Sequence, residues 1–511
     1  MTLIAIAGTL LIFFAAQQPN RVLPSLLRLT AVTIPAALIT GYFVIPFVLY
    51  KGYISASPYL QGWKYDSYGA NAILSWLLKG ELFDYGRLPV MTLLLVIGIA
   101  WALSSRTEAA ILAAVLFFVW LLFYFGRSTW GQLADLLPLH EGLLFHRFSA
   151  GVDLGALLLI GLGGEWIWRQ CKRLRTGWAP MIAAGVITAL MVPAMWERYT
   201  YYSTNAGWMR TTQHALDHDH DAAEIIATLK TLAPGRTYAG LRTNWGESMR
   251  WGDLRFFDLL TFNQIPAVSP PYQSLSLNSD LIWHFNDSDA ADYSLFNVKY
   301  VVAPAGQRLT GFFTPIKRTS RYTLYQVPGG GYEQFVQISD WKIADSQLSL
   351  FNQNRTWLSS VGPAARRFIR WSYLGADRGP GPNPWDLRGT VINEKVMPGR
   401  IDAMVRTPNA ATLVFKMSYH PDWHVEVDGR ERTAFMASPS FIGTTVPPGT
   451  HVVSAIYKSS RLKAGLLTLS AIVLILTLGY GSTFTTRIET IIRERCHSRQ
   501  LNGGRVAREH V

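Results

Sequence analysis

Seven long apolar runs dominate this sequence and limit the folds open to it. They cover residues 2–16, 27–50, 88–104, 108–125, 152–168, 179–196 and 463–480. A helix of about 20 apolar residues crosses a bilayer core, and in lipid only helices and closed barrels satisfy every backbone polar group. Only 16% of the 511 residues are charged, against about a quarter in soluble proteins. The sequence predicts a multi-spanning α-helical membrane protein.

The first run directly follows Met1 and lacks the basic residues and cleavage site of a signal peptide, so we expect a membrane helix there. A polar stretch separates the sixth and seventh runs. Within it, β-like and helical segments alternate up to a boundary rich in Gly and Pro at 375–389, "GADRGPGPNPWDLRG". Beyond this boundary, short strands follow one another closely, with a hairpin signal at Asp428-Gly429.

These patterns predict five regions. They are a membrane domain of about six helices (1–196), an α/β domain (197–390), a β-sandwich (391–461), a last transmembrane helix (462–481) and a basic tail (482–511). The fold class we expect is therefore a multi-spanning membrane protein with an extracytoplasmic α/β region and a C-terminal β-sandwich module.

Basic residues predict the orientation, because Lys and Arg of short loops stay on the cytoplasmic side. The loop after the fifth run and the tail after the seventh are both rich in arginine. This places residues 197–461 outside the cytosol, in a multi-pass protein of the cytoplasmic membrane. The loop 51–87 fits less well, since it also carries basic residues. The net charge of +13 suits the anionic headgroups of a lipid bilayer, and no nucleic-acid-binding signature occurs.

Two polar motifs have simple structural explanations. The segment "HALDHDHDAAEIIATL" (214–229) offers potential metal ligands, but Asp221 followed by Glu224 resembles a capping box at a helix start, which we favour. The triplet Gly329-Gly330-Gly331 is followed by no Lys-Ser/Thr pair, so we predict a turn and no phosphate loop. A divalent metal ion stays open as a cofactor.

Two segments carry a family resemblance. They are "YSLFNVKYVVAP" (293–304) and "MSYHPDWHVEVDGRERTAFMASPSFIGTTVPPGTHVVSAIY" (417–457), which precedes the last apolar run. In this order they resemble the YfhO-type bacterial membrane proteins and their relatives labelled 6-pyruvoyl-tetrahydropterin synthase-related membrane proteins. The likeness covers roughly residues 80 to 480, and the pterin label implies no pterin chemistry.

The resemblance implies a glycosyltransferase of the GT-C type. Such an enzyme takes a sugar from a polyprenyl-phosphate carrier and transfers it to a cell-envelope glycan outside the cytosol. The chain departs from the family in lacking a long N-terminal membrane half with a carboxylate motif in its first outer loop. The resemblance therefore implies the C-terminal half of a transferase, with a separate N-terminal-half protein as an expected partner.

The segment "LPLHEGLLFHRFSAGVDLG" (137–155) holds the predicted carrier site. Arg147 offers a bidentate fork to a phosphate, and His140 and His146 can donate hydrogen bonds to it. Asp66 and Glu141 are the predicted catalytic carboxylates. The competing interpretation is that Arg147 reaches to lipid headgroups while both histidines lie in interfacial turns.

Two further sets complete the prediction. In the loop 55–87, an acceptor groove is predicted from Tyr65, Asp66, Tyr68, Asp84 and Arg87, with an aromatic belt as the alternative for the tyrosines. In the β-sandwich, Trp423 and His424 are predicted to bind glycan, with packing and sheet-surface roles as the alternatives. A second function therefore stays open, a non-catalytic envelope protein that binds polysaccharide or a partner glycosyltransferase.

Overall fold

The structure is a computed structural model. It describes residues 22–59, 62–105, 107–137, 140–174, 177–270, 275–309, 311–375 and 387–479. The chain divides into two compact units, which we call the helical unit and the β-rich unit. The helical unit comprises Met1–Thr40, Tyr59–Thr204 and Leu469–Val511, and the β-rich unit comprises Gly41–Pro58 and Asn205–Thr468.

The α-helices follow the apolar pattern of the sequence. They are α1 (Val22–Leu49), α2 (Gly62–Asp66), α3 (Ala70–Leu78), α4 (Glu81–Asp84), α5 (Val90–Ser105), α6 (Glu108–Phe125), α7 (Arg127–Trp130), α8 (Ser149–Arg173), α9 (Ala179–Asp217), α10 (His220–Thr231), α11 (Phe256–Phe262), α12 (Ala290–Leu295) and α13 (Gln347–Leu358). A last helix covers Arg461–Gly479.

Five described helices are long and apolar enough to cross a membrane: Leu29–Leu49, Glu108–Phe125, Phe145–Arg173, Ala179–Asp217 and Arg461–Gly479. The shorter α5 is also apolar. Six of the seven predicted runs therefore form helices, and the run 2–16 lies outside the described residues. The predicted multi-spanning helical architecture is confirmed. Helix α9 continues well past residue 196, to Asp217, and includes Pro193 in its interior.

The helices α5, α6 and α8 form the core of the helical unit. Small residues let their backbones approach closely, as is usual between membrane helices. A Cβ atom added to Gly98 would lie 1.9 Å from the carbonyl oxygen of Leu159, and one added to Gly163 would lie 2.1 Å from that of Leu94. The helix contact therefore depends on glycine at both positions.

The strands are β1 (Arg236–Tyr238), β2 (Arg250–Trp251), β3 (Leu254–Arg255), β4 (Ala267–Val268), β5 (Val298–Pro304), β6 (Thr314–Arg318), β7 (Tyr322–Gln326), β8 (Glu333–Ala344), β9 (Arg367–Tyr373), β10 (Thr390–Met397), β11 (Arg400–Thr407), β12 (Ala411–Ser418), β13 (Trp423–Val427), β14 (Arg430–Arg432), β15 (Phe435–Ala437), β16 (Phe441–Val446) and β17 (Gly449–Tyr457). All of them belong to the β-rich unit.

The first sheet has the order β4-β1-β5-β7-β6, with β1 parallel to both of its neighbours and β7 antiparallel to β5. Helix α10 covers this sheet and buries Ile225, Ile226 and Leu229 in one core with Val302 and Leu324. Parallel strands with a packed helix are the signature of an α/β region. The predicted α/β region is thus confirmed.

Two further sheets pack face to face. One has the order β10-β11-β17-β13-β14, and the other closes as β12-β16-β15-β9-β8. Their facing sides share one core that includes Phe335, Val405, Leu413, Val425 and Val453. The predicted sandwich of β-sheets is therefore present. Strands on both sides of residue 391 pair within the closed sheet, because β8 pairs with β12 and β9 with β15.

Local motifs were partly predicted. The hairpin at Asp428-Gly429 is confirmed, since both residues have positive φ and Val427 pairs with Arg430. Helix α10 is capped two residues earlier than predicted. The carboxylate of Asp219, and not that of Asp221, accepts from the N–H of Ala222 at 3.0 Å. Asp221 instead accepts hydrogen bonds from Ser320 and the backbone of Arg321, at 2.5 and 2.8 Å.

Candidate functional site

Two loops of the helical unit meet where α6 ends. The hydroxyl of Ser128 donates to the carbonyl of Ser67 at 2.9 Å, and that of Ser67 donates to the carbonyl of Tyr124 at 2.6 Å. Gly126 permits this approach, because it has φ +66° and an added Cβ would lie 2.3 Å from the carbonyl oxygen of Asp66. The loop contact brings Asp66 beside Arg127.

Arg127 lies at the centre of a polar cluster with Asp66, Asp135 and His140, which we call the Arg127 cluster. Its Nη2 atom is 2.9 Å from Asp135 Oδ1 and 3.4 Å from His140 Nδ1, and its Nη1 atom is 3.9 Å from Asp66 Oδ1. His140 Nδ1 is 3.1 Å from Asp135 Oδ1. The guanidinium group of Arg127 is thus close to two carboxylates and an imidazole.

The Arg127 cluster is partly open to solvent. Both carboxylate side chains are close to half exposed, at 46% for Asp66 and 47% for Asp135. His140 and Arg127 are less exposed. An accessible carboxylate can accept a proton from a hydroxyl group, and arginine and histidine can donate hydrogen bonds to phosphate oxygens. The arrangement therefore provides the groups that acid–base chemistry on a phosphate-linked substrate requires.

His146 and Arg147 lie in the 3₁₀ turn Phe145–Phe148, which precedes α8. His146 Nδ1 is 2.6 Å from the carbonyl oxygen of Lys64, and its ring packs edge-on against Trp63 at 5.4 Å. His146 thereby fixes this turn beside α2, the helix that ends at Asp66. Arg147 is exposed.

The structure brings only some of the predicted site residues together. Asp66 and His140 share the Arg127 cluster, whereas His146 makes its contacts with α2. The side chain of Glu141 lies outside the described residues. The roles predicted for these residues and for Arg147 stay predictions.

Asp84, predicted to line an acceptor groove, has structural contacts. It is buried, and its carboxylate accepts from the backbone N–H of Met91 at 2.9 Å and of Thr92 at 3.0 Å, and from the Thr92 hydroxyl at 2.7 Å. These are first-turn donors of α5, which have no partner within the helix. Asp84 therefore caps α5.

Arg127 was not selected from the sequence. A signal for it exists, because the glycine-arginine pair 126–127 directly follows an apolar run. Glycine after a helix indicates a sharp turn, and the arginine then lies at the membrane edge that also holds the loop with Asp66. The spacing of 61 residues between Asp66 and Arg127 kept the sequence from pairing them.

Trp423 and His424, the two residues predicted to bind glycan, line one cavity of the β-rich unit. Its volume is about 470 Å³, and Tyr419, Trp423, His424, Glu431 and Arg432 contribute to its wall. Glu431 Oε1 is 2.6 Å from His424 Nδ1. This hydrogen bond lowers the pKa of the Glu431 carboxyl below its usual value. Trp423 packs edge-on against Tyr457, with ring centres 5.5 Å apart. An aromatic wall with charged hydrogen-bonding groups suits a polar, ring-shaped ligand.

Together, the spans and the sheets define a multi-pass α-helical membrane protein with a large folded β-rich unit. No protein-family model matches the sequence, and no curated protein does. Among solved structures, the chain is similar to the cryo-EM structure of the arabinofuranosyltransferase AftD from Mycobacteria.

That similarity is distant. The two chains are 14% identical, the TM-score is 0.34, and the match covers 90% of this chain and 44% of that one. The chain thus spans less than half the length of AftD. At this TM-score the likeness supports no conclusion about function.

Proposed function

We propose that the chain is a GT-C-like membrane glycosyltransferase. It transfers a sugar from a polyprenyl-phosphate carrier to a cell-envelope glycan on the outer face of the cytoplasmic membrane. The Arg127 cluster carries this proposal. It combines two accessible carboxylates, a histidine and an arginine at the ends of apolar helices.

The proposed sidedness follows from the alternation of the helices. If α1, α5, α6, α8, α9 and the last helix each cross once, then the loops 51–89 and 126–148 and the segment 218–460 share one membrane face. Lys172 and Arg173 end α8 at the opposite face. Because basic residues stay in the cytosol, the Arg127 cluster faces outward.

The proposed chemistry is a sugar transfer with a carboxylate as general base. Asp66 accepts the proton of an acceptor hydroxyl, whose oxygen then bonds to the anomeric carbon of the sugar. The bond from that carbon to the phosphate oxygen breaks, and the carrier phosphate leaves with the electron pair. Arg147, with His140 and His146, stabilises the leaving phosphate. Glu141 is the alternative base.

A metal ion is not required by this scheme. The described residues contain no group of three or more His, Cys, Asp or Glu side chains that could hold one. Arg127 instead supplies positive charge beside the two carboxylates.

The proposal is tested by changing Asp66 to Asn, with the glycan composition of the envelope measured in cells whose only copy is the variant. Loss of a general base costs about 10²- to 10⁴-fold in rate, so we expect the transferred sugar to fall to background. Glu165→Gln is the matched control, because Glu165 pairs only with its neighbour Arg169 in the described contacts of α8. Wild-type glycan both in Asp66→Asn cells and in Glu141→Gln cells would contradict the proposal, because Asp66 and Glu141 are its two candidate bases.

The cavity around Trp423 favours a second candidate, a non-catalytic envelope protein that binds polysaccharide. Trp423→Ala in the full chain should weaken binding to immobilised envelope polysaccharide by about tenfold, because it removes an aromatic face worth roughly 1 kcal/mol or more. Trp283→Ala is the control, since Trp283 is an exposed tryptophan of the same unit that does not line the cavity. Equal binding by both variants would remove this candidate.

A further inference from the structure

A second cavity of the helical unit differs in character from the Arg127 cluster. It has a volume of about 550 Å³ and lies among the segment 82–91, α8 and α9. Most of its wall is apolar, with contributions from Phe83, Met91, Ala156, Leu157, Ile160 and Met195. Such a wall suits hydrocarbon chains.

Four polar side chains line the same cavity, namely Tyr85, Arg87, Asp153 and Arg198. The guanidinium carbons of Arg87 and Arg198 lie 5.6 Å and 5.9 Å from the ring centre of Tyr85. One aromatic ring therefore holds both cations, through contacts of the cation–π type. Arg198 also interacts electrostatically with Asp153.

Arg87 differs from an arginine that merely extends toward water. Its side chain is only 22% exposed, and its Nη1 donates to Glu197. A guanidinium group has five N–H donors in a planar fork that matches phosphate oxygens. Because Glu197 accepts from Nη1, the other N–H donors of Arg87 can bind a phosphate, and Arg198 adds a second guanidinium group.

We infer that this cavity binds the phosphate head of a membrane lipid. Arg87 and Arg198 hold the phosphate, Tyr85 keeps the two cations in position, and the apolar wall takes the first part of the lipid chain. Bilayer phospholipids and polyprenyl phosphates share this chemistry. The site uses none of the residues of the Arg127 cluster and does not include Arg147, so it goes beyond the proposed function.

Native mass spectrometry of the full chain in detergent tests the inference. The probes are phosphatidylglycerol, undecaprenyl phosphate and phosphate-free undecaprenol, each added at the same concentration. We expect both phosphates to be retained and undecaprenol to be lost. Arg87→Gln and Arg198→Gln should each reduce retention of the phosphates about tenfold or more, because each removes hydrogen bonds to a charged group. Arg169→Gln, an exposed arginine of α8, should not.

A second variant tests the apolar wall of the cavity. Ala194→Trp keeps both arginines but fills the cavity, so it should reduce retention of both phosphates. The thermal midpoint of each variant shows that it is folded. Stronger retention of undecaprenyl phosphate than of phosphatidylglycerol supports the site with the carrier lipid as its natural ligand. Equal retention of the two lipids supports the site with bilayer phospholipid as its natural ligand.

Two results would overturn the inference. One is equal retention of undecaprenol and undecaprenyl phosphate. The other is retention that survives Arg87→Gln and Arg198→Gln but is lost in Arg147→Gln, which would place the phosphate at the loop site instead. Failure of the proposed transfer is a separate result, because Asp66→Asn should abolish transfer and leave lipid retention unchanged.

Discussion

At the scale of single residues, Glu333 of the β-rich unit lies in an unusual environment for a carboxyl group. It is 1% exposed, and neither of its carboxylate oxygens has a hydrogen-bond partner among the described residues. The adjacent Glu394 accepts from the N–H of Tyr332 at 2.7 Å and from Lys299 Nζ at 3.2 Å. Burial, and then the neighbouring Glu394, raise the pKa of Glu333 to about 9.

A buried lysine lies in the same region. Lys416 is fully buried and donates from Nζ to the carbonyl of Ser294 at 2.6 Å. Burial lowers the pKa of Lys416 to about 7. The glycine triplet 329–331 joins β7 to β8 beside these groups, and an added Cβ at Gly331 would lie 2.4 Å from Glu394 Oε2. The triplet is therefore explained by close packing against charged side chains.

We predict that Glu333→Gln stabilises the protein at alkaline pH. The folded state holds the proton of Glu333 more tightly than the unfolded state, whose pKa is near 4.5. The wild-type protein therefore loses stability as the pH rises from about 4.5 toward about 9. Glutamine does not titrate, so the variant does not have this loss. Melting of the full chain in detergent, followed by tryptophan fluorescence at pH 5 and pH 8, measures this.

The thermal midpoint of Glu333→Gln, measured relative to that of wild type, should be higher at pH 8 than at pH 5. Lys416 is present in both proteins, so its own titration cancels to first order. If the variant instead loses stability relative to wild type at pH 8, Glu333 is ionised there and pairs with Lys416, and the assignment of a protonated carboxyl is wrong.

At the scale of elements, the contact between α5 and α8 depends on glycines whose role the sequence does not reveal. Gly98 and Gly161 both lie in apolar helices, yet an added Cβ would collide with Leu159 at the first position and meets nothing within 4 Å at the second. The difference arises from which helix face is packed. Apolar composition alone does not distinguish the two faces.

We therefore predict opposite outcomes for two matched substitutions. Gly98→Ala should destabilise the helical unit by about 1–3 kcal/mol, because an overpacked helix contact must open. Gly161→Ala should be neutral or stabilise by up to about 1 kcal/mol, because alanine is the better helix former. The thermal midpoints of both full-length variants in one detergent provide the measurement. Equal effects would show that α5 and α8 do not touch as described.

The sequence predicted elements where the local pattern determines them. The six apolar runs that lie in the described residues form helices, and the Asp428-Gly429 hairpin formed as expected. It did not predict that β8 and β9 join the closed sheet, because β8 pairs with β12 and β9 with β15 from across the Gly- and Pro-rich segment. Such long-range pairing leaves no local signal. The cap of α10 was misplaced because Asp219 and Asp221 are both acceptable capping residues.

At the scale of the whole molecule, the candidate site was predictable only in part. Asp66 and His140 were selected because ionisable groups beside apolar runs are unusual. Their meeting through Arg127 depends on how two loops fold together at Gly126, which no single stretch of sequence specifies. The cavity lined by Arg87 and Arg198 could not be predicted for the same reason, since the residues that form it come from three separate segments.

Sugar transfer by the purified full chain tests the central proposal most directly. The chain is reconstituted in lipid nanodiscs with radiolabelled polyprenyl-phosphate sugars and an envelope glycan acceptor, and label in the glycan is followed over time. We predict transfer by the wild-type chain and by Glu165→Gln, and transfer at background by Asp66→Asn. In a parallel reaction, membranes from the native cells are added, so that a partner protein on which transfer depends is also present. Transfer at the wild-type rate by both Asp66→Asn and Glu141→Gln, or no transfer by wild type in either reaction, would contradict the proposal.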